Sequence, residues 1–366
     1  MTSDSHLPQP PGGIDARVFK VGQRSFGAFN PYVIAEIGVN HEGSLSSAKE
    51  MIEMAAAAGS HAVKFQSYTA EKLAAPRHAP NYWDLESEPT NSQFTLFKKY
   101  DNFGLEDFQE LAQFSNDNGV DFLSTPFDPE IAAGLAPLVP AFKVASADLT
   151  NMPLISRLLD FNLPMILSVG AASNSEILSV ATALKDHRAG VAFLHCVLNY
   201  PTQLANANLL GIARLKSSLP AHFSVGYSDH VPPEPDGQMP ALEAAFLMGA
   251  SVIEKHFTDD RTRKGNDHYH AADQPVLQRF TDWMVSAREM MGGWDPDLSI
   301  QESARSNARR RIFASADVLR GETLGHDNLI ALRANEGIEV SDWELVLGRV
   351  ASRSIALGDP VHWTDL

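Results

Sequence analysis

Cysteine is almost missing from this chain: Cys196 is the one thiol in 366 residues. No internal disulfide can form, and no Cys-rich zinc site or CxxC redox pair is available. A reducing compartment follows, and the expected location is the cytoplasm. No run of 18 or more apolar residues occurs either, so no helical membrane span is expected. Basic residues are scarce, with 29 Lys and Arg against 45 Asp and Glu, a formal net charge of −16. A field of that sign repels nucleic acid and anionic bilayers, which excludes both as expected partners. An anionic substrate would have to be held by locally placed cations and backbone N–H groups. The opening MTSDSHLPQPPGG has neither a basic n-region nor an apolar h-region. It reads as a disordered lead-in, bounded at residue 30, and not as a signal peptide.

What the sequence does have is rhythm. Short, largely apolar, β-rich runs fall at 32–37, 62–66, 120–123, 141–145, 165–168, 191–195, 223–226 and 251–255. Runs of this kind are expected where helices cover a sheet and both strand faces are buried. Between them lie helical patterns with punctuated ends, such as 45–58 opened by Ser44 and stopped by Gly59, and 105–118 stopped by Gly119. Eight strand–helix units predict a parallel sheet closed into a (β/α)8 TIM barrel over residues 31–291. An open doubly wound sheet usually has fewer strands and a Gly-rich turn after the first, which is lacking here.

Two segments break the rhythm. Residues 75–100 form a long insertion after the second strand, carrying Tyr82, Trp83 and Asp84, and a long loop in a compact domain is usually functional. Residues 292–311, rich in Gly, polar residues and then Arg, read as a linker. Residues 312–366 have short strands and turn signals, which predicts a small β-rich domain near the lower size limit for folding unaided.

In a barrel of this type the C-terminal strand ends form the active face, and polar residues gather there. The first strand delivers Glu36, the second Lys64 and Gln66, the third Thr125, and the fourth Lys143 and Ser146. The fifth ends at Ser168, the sixth runs toward Tyr200, the seventh carries Ser228 and His230, and the eighth His256. A lone buried Ser or Gln is most often satisfied by internal hydrogen bonds. Eight strands ending in polar groups at one mouth favour a site, because burying them without partners would cost roughly 1–3 kcal/mol each. Two lysines ringed by hydroxyls suit a compact, multiply charged anion such as a phosphorylated carboxylate. Either lysine could alternatively form a Schiff base, as in barrel aldolases. His230 and His256, on adjacent strands, can share one divalent ion; with oxygen ligands completing the shell, Mn²⁺ or Mg²⁺ fits better than structural zinc. Cys196 reads as an inert buried thiol.

The segments IAEIGVNHEG, VKFQS, FLSTPFD, AFKVASADLTN, LHC…YPT, VGYSDH and EKHFTDDR…GNDH resemble, in order and spacing, the sialic acid (nonulosonic acid) synthase family. LRGETL, NLIALRANEG and LGRVASRSIALGDPV are similar to that family's antifreeze-like (SAF) domain. The resemblance implies condensation of phosphoenolpyruvate with a 2-acetamido sugar aldehyde, N-acetylmannosamine or a 6-deoxy-diacetamido hexose, to a nine-carbon α-keto acid and phosphate. It implies metal binding by His230 and His256, and a catalytic carboxylate at Glu36. It assigns the phosphate of phosphoenolpyruvate to Lys64, Thr125, Ser146, Ser168 and Ser228, with Lys143 near the carboxylate and Gln66 beside them. Tyr200 and Asp267 match sugar-contacting positions. Arg333 matches an arginine supplied across a domain-swapped homodimer. Where some relatives carry a polar residue two positions before the tyrosine, this chain has Leu198, which opens the question whether Asn199 takes its place. Outside enzymes, a catalytically silent carbohydrate-binding scaffold is the competing reading, against which the retention of Glu36, both histidines and both lysines speaks.

Overall fold

The computed structural model describes residues 17–86, 88–293 and 295–366, and they divide into two compact units that meet at Gly292 and Gly293. The first unit opens with an antiparallel hairpin, β1 (Phe19–Val21) and β2 (Arg24–Phe26). Eight parallel strands follow: β3 (Tyr32–Gly38), β4 (Ala62–Ser67), β5 (Asp121–Pro126), β6 (Phe142–Val144), β7 (Met165–Ser168), β8 (Val191–Cys196), β9 (Ser224–Asp229) and β10 (Val252–His256). Their lateral order is β5-β4-β3-β10-β9-β8-β7-β6, and β5 packs beside β6 across the seam. Chain neighbours are therefore spatial neighbours all the way round, which is the expected barrel. No helix among the described residues is long and apolar enough to cross a membrane.

Helix boundaries follow local chemistry. Ser44 accepts the Ser47 N–H to open helix Leu45–Ala57, and Asp128 accepts from Glu130 and Ile131 where Pro129 begins the next short helix. Ser173 and Glu176 form a capping box at Asn174–Ala183. Gly59 and Gly119 (φ +81° and +74°) let the chain leave a helix in the left-handed region and turn into the next strand.

The period of two along each strand sorts its residues into two cores. One set, including Val33, Val63, Phe122, Val144, Phe193 and Ile253, packs outward against the helices. The alternate set, Ile34, Ala62, Leu123, Ala141, Ile166, Leu194 and Val252, meets inside the barrel. Phe19, Val21 and Phe26 of the hairpin join this inner cluster and are nearly fully buried. Residues 19–26, assigned above to a disordered lead-in, thus supply hydrophobic material to the barrel's interior. Three-residue strands are too short for any periodicity to reveal. The MTSDSHLPQPPGG segment itself lies outside the described residues.

Two positions further along the same strands the inward residues turn polar: Glu36, Lys64, Thr125, Lys143, Ser168, Cys196 and Glu254. The interior is apolar at one level and polar at the next.

The second unit has its own core of Ile312, Ala314, Val318, Leu324, Leu329, Ile338, Val346, Ala351, Ile355 and Val361. It is organised by β11 (Arg310–Ala314) and β12 (Leu329–Arg333), paired antiparallel. The stretch 292–311, expected as a linker, carries helix Glu302–Ala308 and the start of β11.

The tightest point inside the barrel is Gly226 on β9, where an added Cβ would run into the Val252 carbonyl oxygen and the Leu194 side chain. Both obstacles belong to neighbouring strands that cannot retreat singly. Gly226→Ala should destabilise the protein by at least about 1–3 kcal/mol, read as a lower urea midpoint.

Candidate active site

The polar layer lines a cavity of about 320 Å³ at the C-terminal strand ends, within the usual range for a small-molecule site. Its floor is a set of four buried charges. The Lys64 ammonium lies 2.5 Å from Glu36 Oε2 and 3.8 Å from Glu254 Oε2. Lys143 lies 3.5 Å from Glu254 Oε1. Register explains the meeting: Glu36 on β3 is paired with Lys64 on β4 and His256 on β10, and Glu254 with Ser228 on β9. Hydroxyls and an amide complete the floor. Lys64 donates to Thr125 Oγ1 (3.1 Å), Lys143 to Ser168 Oγ (2.8 Å), Ser228 to Glu254 Oε1 (2.9 Å) and Gln66 to Glu36 Oε1 (3.1 Å). Ser146 Oγ accepts from the Gly170 N–H.

These neighbours set the charges. Burial opposes the charge on Lys64, but Glu254 and Glu36 carry its pKa above the ordinary value. For Lys143 burial wins and the pKa falls, despite Glu254. Burial also opposes ionisation of Glu254, and the two lysines and the Ser228 hydroxyl outweigh it, holding the carboxyl well below its usual range.

Beside the floor stands an imidazole cluster. The ring centroids of His230 and His256 are 5.2 Å apart. His230 Nδ1 meets the Val197 carbonyl at 2.8 Å. A carbonyl can only accept, so Nδ1 donates its proton to it and Nε2 is the atom turned to the cluster by that bond. Asp267 Oδ2 lies 3.3 Å from His256 Nδ1, and Asp267 Oδ1 lies 3.8 Å from His270 Nε2. The ligating atoms of His256, Asp267 and His270 all fall within 4.8 Å of one another. His256 Nδ1 and both ring nitrogens of His270 are buried without a hydrogen-bond partner. Imidazole nitrogens without hydrogen-bond partners, gathered beside a carboxylate, fit a divalent cation. Behind the cluster, Asp229 and Lys255 form a fully buried ion pair at 2.7 Å, and Asp229 also accepts from Tyr227 and from the Val231 N–H, fixing the turn that carries His230.

The loops above are stitched together. Asn40 donates to the Phe257 carbonyl and accepts the Asp267 N–H, so the first strand's loop positions Asp267. In the insertion, Trp83 donates to the carbonyls of Glu88 and Thr90. The Glu88 carboxylate accepts from Lys99, Thr90 and the Asn266 N–H. Tyr82, Trp83, Leu198, Tyr200 and Tyr269 form the aromatic and apolar rim of the cavity.

Glu36, Lys64, Gln66, Thr125, Lys143, Ser146, Ser168, Tyr200, Ser228, His230, His256 and Asp267 all line this one cavity. Arg333 belongs to the second unit, exposed on β12 and in register with Arg310. Asn199 does not replace the missing polar contact: it is exposed and donates to the Pro201 carbonyl of its own loop, while Leu198 faces the cavity. Cys196 is a buried free thiol, as expected, but it has polar company. It lines the cavity 3.8 Å from His230 Nδ1, and although burial raises its pKa, His230, Ser146 and Lys143 bring it below the ordinary thiol value. Sequence reasoning gave Glu254, on the eighth strand, no role and missed His270. Glu254 was available from the period of two, lying two residues before His256. His270 required knowing that a 3-10 turn, His268–His270, follows Asp267 and brings residues three apart together.

Residues 51–295 match the NeuB family and residues 309–366 the SAF domain. The chain is 33% identical to the N,N'-diacetyllegionaminic acid synthase of Campylobacter jejuni, over 88% of this chain and 96% of that one. It is 28% identical to a pseudaminic acid synthase of the same species, over 91% and 96%. Among solved structures, the N-acetylneuraminic acid (sialic acid) synthetase of Leptospira borgpetersenii, bound to citrate, superposes with a TM-score of 0.68 at 33% identity, over 80% of this chain and 96% of that one.

Glu254 is the anion shared by both lysines, so Glu254→Leu should cost about 3–5 kcal/mol by leaving Lys143 without its buried anion and Lys64 with Glu36 alone. The folded carboxyl titrates below its unfolded value of 4.5, so its contribution is complete above that pH and is lost as pH falls further. Urea unfolding should show a wild-type advantage over Glu254→Leu that is constant from about pH 8 to 5 and shrinks below 4.5.

Proposed function

Since this chain belongs to the NeuB family and carries an SAF domain, we propose that it condenses phosphoenolpyruvate with a 6-deoxy-2,4-diacetamido hexose to give a nonulosonic acid and inorganic phosphate. The observation that carries the reading is the juxtaposition, in one cavity, of a lysine–hydroxyl floor, an imidazole–carboxylate cluster and an aromatic rim. The phosphate of phosphoenolpyruvate would lie among Lys64, Thr125, Ser146, Ser168 and Ser228, with its carboxylate beside Lys143 and Gln66. A divalent ion, Mn²⁺ or Mg²⁺, held by His230 and His256, would supply Lewis-acid polarisation of the aldehyde oxygen.

The enol carbon attacks the aldehyde carbon, and the new C–C bond leaves positive charge on the carbon that bears the phosphate oxygen. Glu36, buried as an anion against Lys64, stabilises that charge and takes a proton from the water that adds there. The proton taken by Glu36 passes to the alkoxide formed from the aldehyde, and the tetrahedral carbon then expels phosphate by C–O cleavage, its hydroxyl proton leaving with the phosphate, to give the α-keto acid. Tyr200 and Asp267 orient the sugar. Tyr82, Trp83, Tyr269 and Leu198 offer it an apolar wall, which suits a sugar whose 6-position is a methyl group, and the relatives named for legionaminic and pseudaminic acids agree with that choice. In a domain-swapped homodimer the partner's Arg333 would reach the sugar. A cytoplasmic setting suits a synthase of this kind.

A panel of acetamido sugars with phosphoenolpyruvate, read by phosphate release, tests the proposal. The 6-deoxy-diacetamido hexose should exceed N-acetylmannosamine in kcat/KM by about tenfold or more, the worth of a matched apolar contact. Preference for N-acetylmannosamine would overturn the sugar assignment. A borohydride-stable adduct on Lys143 without phosphate release would assign the Schiff-base aldolase, an option its depressed pKa keeps in view. Chelation should abolish turnover and Mn²⁺ restore it; a chain silent under every condition would be the scaffold. Arg333→Ala should raise the KM for the sugar and leave that for phosphoenolpyruvate unchanged, and an equal rise in both would contradict the cross-subunit role.

A further inference from the structure

His270 is an imidazole near the cavity that neither the floor nor the rim explains. Its side chain is fully buried, yet neither ring nitrogen has a hydrogen-bond partner. Taking such groups from water without compensation costs on the order of 1–3 kcal/mol each. A fold that bears this cost beside two other histidines has a use for the lone pair. His270 sits behind Asp267 and is not part of the cavity wall, so a sugar in the cavity is not what its ring would meet.

We propose that His270 is a third imidazole ligand of the divalent ion held by His230 and His256, with Asp267 as their shared carboxylate. The inference rests on the metal-dependent reading above and extends it. An ion about 2.1 Å from a ring nitrogen lies about 3.3 Å from that ring's centroid, so two rings on one ion have centroids between about 4.6 Å (at right angles) and 6.5 Å (opposite). The three pairs measure 4.7 Å for His256–His270, 5.2 Å for His230–His256 and 5.9 Å for His230–His270. All three fall inside that window. Ligand atoms facing each other across such an ion are about 4.2 Å apart. Against the 4.8 Å within which the atoms of His256, Asp267 and His270 all lie, an opposed pair would have to close by about 0.6 Å, and adjacent ligands by more. The turn His268–His270 supplies the ring from the residue three past Asp267, so one loop delivers both donors.

Three imidazoles change selectivity as well as affinity. Nitrogen donors favour transition ions over Mg²⁺, whose preference is for oxygen and water. Mn²⁺ and Co²⁺ should bind the full chain far more tightly than Mg²⁺.

The test is titration of chelator-stripped full-length protein with Mn²⁺ and with Co²⁺ by calorimetry, together with the visible absorption of the bound Co²⁺. His270→Phe keeps a planar ring and removes both nitrogens. It should weaken both ions by at least about tenfold and alter the Co²⁺ spectrum. Its thermal midpoint without metal should stay level or rise, because no buried polar atom is left unpartnered. His270→Asn is the second variant should Phe impair folding, and it should weaken the ions likewise. Wild-type affinity and an unchanged Co²⁺ spectrum in either folded variant would overturn the assignment, as would a variant that only raises the KM for the sugar. His256→Phe separates the levels: if it too binds both ions normally, the histidine metal site itself is wrong, whereas its loss beside an unaffected His270→Phe would sink the third ligand alone.

Discussion

Everything at the mouth of this barrel depends on one buried carboxylate, Glu254, lying between two lysines. Remove it and Lys64 and Lys143 face each other in a closed, apolar-floored space. With it, and with Glu36 against Lys64, the floor holds two cations and two anions. A neutral resting set is what allows ammonium groups to be kept out of water while awaiting an anion, in a chain whose net charge is −16. An anion entering the floor would compete with Glu254 for the lysines, so its affinity would be tempered by the carboxylate that lies between them. The two lysines are not equivalent. Lys64, flanked by two carboxylates, keeps its charge firmly, whereas Lys143, closest to Glu254 alone, holds it less securely.

That floor exists because the strands alternate. Ile34 and Glu36, Ala62 and Lys64, Leu123 and Thr125, and Val252 and Glu254 are pairs two residues apart, and each pair climbs from the apolar inner cluster to the polar layer. Apolar closure, helped by Phe19, Val21 and Phe26, makes the dielectric low beneath the charges, which strengthens each of the contacts among them. Fold and chemistry are thus one pattern seen at successive levels of the same strands.

Much of this was legible in the sequence because it is local. A strand buried on both faces is a short apolar run, its end is a change to polar residues, and glycines such as Gly59 and Gly119 mark the turns between. The barrel and the line of Glu36, Lys64, Thr125, Lys143, Ser168, Ser228, His230 and His256 follow from those signals. The hairpin 19–26 did not, since its three-residue strands make sense only against an interior assembled from strands far along the chain. Cys196 looked inert because its neighbour His230 is 34 residues away. Glu254 was hidden by company: between Ile253 and Lys255 it reads as one more charge, and only the inward phase of β10 separates it from Lys255, which points the other way to Asp229. His270 depended on a turn that no apolar pattern announces.

The loops show why a site on a barrel can be both precise and variable. The residues of the floor sit on strands, where register fixes them to neighbours on both sides. Those of the rim sit on Tyr82–Trp83, Leu198–Tyr200 and Asp267–Tyr269, three excursions from different strands. Such excursions would drift apart unless tied. The ties here are polar and few: Asn40 to the Asp267 backbone, Glu88 to the Asn266 backbone and to Lys99, and Trp83 to its own turn. All but the Glu88–Lys99 ion pair end on a backbone group, and among the rim side chains only Trp83 takes part in them. Replacement of a polar residue by Leu198 leaves the floor untouched, because Leu198 shares no hydrogen bond with the charges below. A floor fixed by strand geometry can then stay as it is while the rim above it changes one residue at a time.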